Sequence, residues 1–121
     1  MKEIAGKIAK TTHSTFKGVV MNHHFVILAI IGNFVVALFA WLFWQAEFGV
    51  NPAVDEPMDA IWWAFTTVTT VGFGDIVPVT FWGRITGITL MVVGTVLFAT
   101  YIALVANTFI STKKLHQHQK E

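Results

Sequence analysis

The residues with the most distinctive spacing are the six from Thr70 to Asp75, which read Thr-Val-Gly-Phe-Gly-Asp. Gly72 and Gly74 alternate with larger residues, and glycine tolerates backbone angles that other residues avoid. Such a segment can turn successive backbone carbonyl oxygens toward one axis. Rings of carbonyls can replace the hydration shell of a cation at little net cost. The spacing therefore predicts a cation path formed by backbone rather than by charged side chains.

We expect the side chains of this segment to have different roles. The hydroxyl of Thr70 would add an oxygen below the first carbonyl ring, while Val71 and Phe73 would point away from the axis into packing. The weaker interpretation is an ordinary glycine-containing loop. Five fixed positions of this kind recur by chance on the order of once per million positions at ordinary residue usage.

Composition indicates a membrane protein. The chain has 121 residues, of which 55% are apolar and 12% are charged, whereas soluble domains carry about 25% charged residues. A single small domain cannot bury that much apolar surface, so the surplus must face lipid or other subunits. The absence of cysteine excludes disulfides and thiolate metal sites.

Two apolar stretches could position the glycine segment. Residues 25–44 carry no charge, and as a helix they reach roughly 30 Å, the thickness of a hydrocarbon core. Residues 81–110 contain one charge, Arg84, and are longer than a span requires, so this helix should tilt or project. We expect an outer and an inner membrane helix. Small residues on the second stretch would allow close helix packing: Gly83, Thr86, Gly87, Thr89, Gly94 and Thr95.

A short helix is predicted directly before the glycine segment, at 57–69. Pro57 suits a first helical position, and Asp59 suits a positive helix N-terminus. Twelve or so residues reach only about 18 Å, so the helix cannot cross a bilayer and must re-enter. Its C-terminal end would point partial negative charge at a resting cation.

The distribution of charge predicts orientation. Lysines flank the two spans, and Arg84, near the start of the second span, is the only basic residue from position 25 to position 110. The residues between the spans carry five acids: Glu47, Asp55, Glu56, Asp59 and Asp75. Positive residues favour the inner side, so both termini should be cytoplasmic in a multi-pass protein of the cell membrane. The same pattern argues against nucleic acid as a partner. Segment 1–22 is either an amphipathic helix on the inner leaflet or a frayed terminus, and 111–121 is expected to be a cytoplasmic tail.

The glycine segment, the preceding Trp62-Trp63 pair and the two flanking spans together resemble the pore domain of prokaryotic two-transmembrane potassium channels. The resemblance covers residues 25–110 and implies an all-α membrane fold, with a re-entrant pore helix and a filter loop, in a homotetramer around a central pore. It implies K⁺ binding along 70–74, by carbonyls of Thr70, Val71, Gly72 and Phe73 and the Thr70 hydroxyl. K⁺ would be the only metal, without a cofactor.

The same resemblance implies supports for this filter. Trp62 would donate its indole hydrogen to Asp75, and Trp63 would pack near Phe73; interfacial anchoring of the tryptophans is the alternative. Two departures from the family pattern remove hydrogen bonds. Phe73 replaces the usual tyrosine, and Thr66 stands where some relatives carry a glutamate behind the filter. We therefore expect filter gating to differ.

Gly94 matches the hinge glycine of calcium-gated channels of the MthK type, which carry RCK domains. A mid-helix glycine weakens a helix by about 1 kcal/mol relative to alanine, so it could bend there and open an intracellular gate. With a hinge at Gly94, Ala99 and Ala103 would line the narrow region of the pore. Close helix packing at Gly94 is the alternative to a hinge. The chain is expected to be either a minimal channel or the pore of a longer protein, with a cytoplasmic regulatory domain or subunit beyond Glu121.

Other functions fit the residues less well. A weakly selective cation channel would typically lose the second glycine or gain an acid in the filter. A potassium transporter subunit would repeat the unit and keep one glycine per repeat. A membrane anchor leaves the glycine segment unexplained, and no catalytic pairing indicates an enzyme. Five histidines more readily fit solvated ends than a metal site: His13, His23, His24, His116 and His118.

Overall fold

The computed structural model describes residues 1–20 and 22–118. Its elements are α1 (Lys2–Val20), α2 (His23–Glu47), α3 (Pro57–Val68) and α4 (Phe81–His118), and no strand occurs in the described ranges. The chain divides into two compact units, which are described separately: Ile30–Ala99, and Met1–Ala29 with Thr100–Glu121.

The predicted all-α class with two long apolar helices is confirmed. Within α2 and α4, the stretches His23–Glu47 and Phe81–Asn107 are long and apolar enough to cross a membrane. The helix bounds differ in detail from the sequence-based ones. Helix α2 exceeds the predicted 25–44 at both ends, and α3 ends at Val68 rather than residue 69. Helix α4 continues to His118 instead of ending at residue 110, so most of the predicted tail is helical.

The core of the unit Ile30–Ala99 forms where α2, α3 and α4 meet. Trp63 stacks on Phe43 of α2, with ring centroids 3.7 Å apart and an interplanar angle of 10°. Leu90 of α4 is fully buried in the same cluster. Helix α3 presents one face to this core because its buried apolar residues recur at helical spacing: Ala60, Trp63, Ala64 and Val68.

Helix α3 begins as its sequence predicts. Pro57 occupies the first turn, where a missing N–H costs nothing. The carboxylate of Asp59 accepts hydrogen bonds from the backbone N–H groups of Asp55 and Glu56, at 2.9 and 2.8 Å. These bonds tie the incoming loop to the first turn and fix the direction in which α3 starts.

Glycines on α4 allow its close approach to the rest of this unit. A Cβ at Gly87 would lie 3.4 Å from the ring of Trp63. A Cβ at Gly94 would lie 2.6 Å from Cγ2 of Val68, at the end of α3. The predicted packing role of these glycines is confirmed. Two of the threonines predicted to share this packing role, Thr89 and Thr95, instead use their hydroxyls in hydrogen bonds to backbone carbonyls of α4 itself.

In the other unit, residues Lys2–Val20 form helix α1, and the predicted place of this helix on the inner leaflet stays a prediction. Asn22 starts α2 in the usual way for a capping residue. Its side-chain oxygen accepts from the N–H of His24 at 3.0 Å, and its carbonyl accepts from the N–H of Val26 at 3.1 Å. Phe25 contacts the ring of Tyr101, with centroids 4.9 Å apart.

Candidate ion-binding segment and its supports

The segment from Thr70 to Gly74 has an alternating backbone. Thr70, Gly72 and Gly74 have φ angles of 62°, 53° and 78°, all in the left-handed region that favours glycine. Val71 and Phe73 between them do not have positive φ angles. The two glycines behave as their spacing predicted. Thr70 does not follow from sequence, because a threonine carries no signal for a left-handed backbone.

The start of the segment is tied to the end of α3. The N–H of Thr70 donates to the carbonyl of Thr67 at 3.1 Å, and the N–H of Gly72 donates to the carbonyl of Thr66 at 2.9 Å. Thr66 therefore contacts the segment through its backbone. Its buried hydroxyl donates to the carbonyl of Trp63 at 3.0 Å, within α3.

The far end of the segment is tied to α3 by Trp62. The indole Nε1 of Trp62 donates to the carboxylate of Asp75 at 2.8 Å, as expected. The ring of Trp62 also stacks on Phe73, with centroids 5.3 Å apart and an interplanar angle of 21°. Within one chain, Trp63 is turned into the core against Phe43, so Trp62 and not Trp63 contacts Phe73 of the same chain; a contact of Trp63 with Phe73 of a second subunit stays a prediction. The two adjacent tryptophans point to different faces because α3 turns by about 100° per residue.

A buried carboxylate lies behind the residues that follow the segment. Glu47, the last residue of α2, is fully buried. One of its oxygens accepts from the N–H of Val79 at 2.9 Å and from the side chain of Asn51 at 2.8 Å. The other accepts from the N–H and the hydroxyl of Thr80, at 2.9 and 2.7 Å. All four donors meet a charged acceptor, the arrangement that makes a buried carboxylate tolerable.

Asn51 and Thr80 extend this network, and we call the group Glu47, Asn51 and Thr80 the Glu47 anchor. The side chain of Asn51 also donates to the carbonyl of Val77 at 2.8 Å. The hydroxyl of Thr80 accepts from the N–H of Gly83 at 2.9 Å, at the start of α4. The Glu47 anchor thus holds residues 77–80, which follow the glycine segment, against the end of α2.

Sequence reasoning missed the anchor. Glu47 counted only as one of the acids between the two spans. Its partners Val79 and Thr80 lie 32 and 33 residues further along the chain, and nothing in the local pattern indicates that pairing. The one available signal was an acid at the end of an apolar span, followed four residues later by an asparagine.

The glycine segment is exposed within a single chain. Val71 and Phe73 are 59% and 66% exposed, although both are apolar. Phe65 and Ile61 on the adjacent face of α3 are also exposed. An exposed apolar patch of this kind marks a surface for a partner or for lipid. The supports described above hold the segment from one side only.

The residues expected at a gate lie on α4. Gly94 is buried against Val68, so the close packing considered as an alternative is present; bending at Gly94 stays a prediction. Ala99 and Ala103 are exposed, and their place along a pore also stays a prediction.

No group of three or more metal-ligating side chains occurs in the part of the chain that the structure describes. His23 and His24 contact each other edge to face, with ring centroids 6.2 Å apart. The side chains of His116 and His118 lie outside the described residues.

Comparison with known proteins agrees with this arrangement. Residues 24–111 match a family described as "Ion channel". A voltage-gated potassium channel of Aeropyrum pernix is 42% identical over 59 residues, which is 49% of this chain and 20% of that protein. A potassium voltage-gated channel subfamily A member 10 of Gallus gallus is 36% identical over 63 residues, or 46% of this chain and 12% of that one. The chain therefore spans a fifth or less of the length of these relatives.

The family match covers α2, α3, the glycine segment and most of α4. It includes both helices that are long and apolar enough to cross a membrane, so the protein is a membrane protein. The resemblance stated from the sequence is confirmed, and the chain belongs to this ion-channel family.

Proposed function

We propose that this protein conducts K⁺ passively and selectively through a filter formed by residues 70–74. The alternating backbone at Thr70, Gly72 and Gly74 carries the proposal. Alternation of this kind turns successive peptide planes the same way, so that the carbonyls of 70–73 can line one side. Such carbonyl rings replace the hydration shell of K⁺, and the hydroxyl of Thr70 adds one more oxygen.

The electrostatics around the filter need no charged side chain on the ion path. Helix α3 ends at Val68, just before the filter, so its C-terminal partial negative charge favours a cation nearby. The nearest carboxylates are occupied elsewhere. Asp75 accepts from Trp62, and Glu47 is surrounded by four donors. Neutral dipoles bind a cation weakly enough for it to leave again, which conduction requires.

Four copies of the chain would complete the pore. One chain leaves Val71 and Phe73 exposed and covers the filter from one side. A closed ring of identical subunits would bury these side chains and place the carbonyls around a common axis. The names of the relatives, which are potassium channels, support K⁺ as the permeant ion.

Gating and orientation complete the proposal. We place the gate on the inner part of α4, hinged near Gly94 and lined by Ala99 and Ala103, with both termini in the cytoplasm of the cell. The lysines on both sides of the spans support that orientation. A cytoplasmic regulatory domain or subunit would act on the end of α4.

The experiment is ion flux in liposomes that contain the purified protein. We expect K⁺ to pass down its gradient with little Na⁺ flux, and Ba²⁺ to block it. Equal permeabilities from reversal potentials would reject K⁺ selectivity and favour the weakly selective cation channel. Absence of any cation flux would reject conduction. A crosslinking ladder that stops at dimers would reject the tetramer.

A matched pair of glycine variants ties the flux to the filter. Gly72→Ala forces a side chain onto a residue with a φ of 53° and should abolish K⁺ flux. Gly32→Ala lies on α2 with open space around it and should leave flux unchanged. Tryptophan fluorescence of both variants reports whether the fold is retained. Normal flux through a folded Gly72→Ala protein would overturn the role of the alternating backbone.

A further inference from the structure

A small apolar cavity opens on the surface of the unit Ile30–Ala99, between the C-terminal part of α2 and the start of α3. Its volume is about 180 Å³, and the residues that line it are apolar. Trp41 of α2 and Ile61 of α3 line it and are 56% and 39% exposed, so a partner can reach the cavity from outside the chain. Three other lining residues have small side chains that leave the space open: Ala37, Ala40 and Ala60.

A large exposed aromatic side chain lies at the start of α4. Trp82 is 70% exposed and contacts Phe81 edge to face, with ring centroids 5.5 Å apart. It does not line the cavity of its own chain. Tryptophans that contribute most to protein interfaces fill pockets on the partner. A cavity of about 150 Å³ admits benzene, so the cavity between α2 and α3 has room for an aromatic ring.

The cavity and Trp82 lie at a similar level along the helices. The hydroxyl of Thr80 donates to the carboxylate of Glu47 at 2.7 Å, which places the start of α4 beside the end of α2. Trp44 lines the cavity and precedes Glu47 by about 4.5 Å along α2. Trp82 comes two residues after Thr80. A second copy that stands beside the first in the same orientation would therefore bring its Trp82 to the level of the cavity.

A closed ring of four identical chains needs two different surface patches that fit each other. Each chain contacts the next through a heterologous interface, in which one patch meets a different patch of the neighbour. The cavity and Trp82 are such a pair, because they lie on different helices and both are apolar. Ile61 belongs to the cavity and also to the exposed face of α3 beside the glycine segment. The cavity is therefore continuous with the surface that the proposed tetramer would bury.

We propose that Trp82 of each chain inserts its indole into the cavity of the neighbouring chain. The contact joins α4 of one chain to α2 and α3 of the next, and α3 carries Trp62, which supports the glycine segment. The inference rests on the proposed tetramer but not on K⁺ selectivity. An acyl chain of a lipid is the competing occupant, and the experiments separate the two.

The first experiment is thiol crosslinking of the full chain in liposomes, since the chain has no native cysteine. Trp82→Cys is combined with Ile61→Cys and treated with a short bismaleimide. Each chain then carries both sides of the contact, so we expect a covalent ladder that reaches the tetramer. The matched control combines Trp82→Cys with Leu42→Cys, at a residue of α2 that is 37% exposed and does not line the cavity. The control should give no ladder.

The second experiment measures the protein concentration at which half of the chains are tetrameric in detergent. Trp82→Ala removes the inserted ring and Ala37→Leu fills part of the cavity, so each should raise this concentration about tenfold or more. The double variant should not exceed the larger single effect by much, because both changes remove the same contact. The control Phe34→Ala removes a 69% exposed ring of α2 outside the cavity and should leave the concentration unchanged. Circular dichroism checks that each variant keeps its helices.

Several results would overturn the inference and leave the tetramer in place. One is a chain that is tetrameric by mass but gives no ladder from residues 61 and 82. Covalent dimers from Trp82→Cys alone would show that two indoles meet each other instead. Unchanged tetramer stability in Trp82→Ala would also overturn it, and lipid retained by that tetramer in native mass spectrometry would assign the cavity to an acyl chain. A native chain that forms no tetramer would reject the proposed assembly itself, so the two failures are distinguishable.

Discussion

Replacing Glu47 with glutamine should destabilise the protein more than any other single isosteric change near the filter. The glutamine amide keeps the shape of the carboxylate but offers only one acceptor oxygen. In one orientation its NH₂ group faces the donors of Val79 and Asn51, and in the other it faces the two donors of Thr80. Either way, two donors that face the buried carboxylate lose their acceptor. Each such loss costs about 1–3 kcal/mol, so we expect Glu47→Gln to lower the free energy of unfolding by about 2–6 kcal/mol.

The assay is unfolding in mixed micelles with increasing denaturing detergent, followed by tryptophan fluorescence. Trp63 is a suitable reporter because it is buried and stacked on Phe43, within the unit that contains the anchor. The matched control is Glu3→Gln, which removes an exposed carboxylate from α1 and should change stability by less than about 0.5 kcal/mol. Asn51→Ala provides the second arm of a double-mutant cycle with Glu47→Gln. The two changes share a hydrogen bond, so they should not be additive.

A functional consequence should accompany the loss of stability. The anchor holds residues 77–80, which leave the filter, so the folded Glu47→Gln protein should conduct in shorter bursts with unchanged K⁺ selectivity. The reasoning fails if Glu47→Gln matches Glu3→Gln in stability, or if Glu47→Gln and Asn51→Ala add without coupling. Either result would mean that the carboxylate is not held as the hydrogen bonds indicate.

Three further changes test the packing around the filter. Gly83→Ala would place a methyl group against the carboxylate of Glu47 and should destabilise the protein by about 1–3 kcal/mol through overpacking. The control Gly32→Ala has open space and should be neutral or stabilise the protein by up to about 1 kcal/mol. Unfolding in mixed micelles compares the stabilities of the two variants. Gly94→Ala should likewise destabilise, by about 1–3 kcal/mol, because its methyl group would displace the end of α3, and equal stability with Gly32→Ala would contradict that packing. Trp62→Phe keeps an aromatic ring but removes the hydrogen bond to Asp75, so open bursts in single-channel recordings should shorten, and unchanged bursts would show that this bond does not hold the filter.

Local patterns were enough to predict the elements. The uncharged stretch that ends at Trp44 indicates α2, and Pro57 indicates the start of α3. Neither prediction needs knowledge of distant contacts. The alternating glycines predict two of the three left-handed residues of the segment from Thr70 to Gly74. The bond between Trp62 and Asp75 followed from the family resemblance and is present.

Distant pairings were not predictable from such patterns. The Glu47 anchor joins the end of α2 to backbone 32 and 33 residues later, and hydrophobic periodicity carries no information about that pairing. The two tryptophans posed a similar problem. Their sequence shows two adjacent large aromatics, but which of them enters the core depends on where Phe43 lies.

Thr70 shows why the glycine segment needs its supports and why the proposed tetramer would help to hold its conformation. A non-glycine residue in the left-handed region costs about 1–3 kcal/mol, and Thr70 has this conformation at a φ of 62°. The hydrogen bonds from the N–H groups of Thr70 and Gly72 to α3 offset part of that cost, since each contributes about 0.5–1.5 kcal/mol. These bonds hold only one side of a segment that is otherwise exposed. In the proposed tetramer, burial of Val71 and Phe73 would offset more of the cost of this conformation. The conformation of the glycine segment and the assembly should therefore stabilise each other.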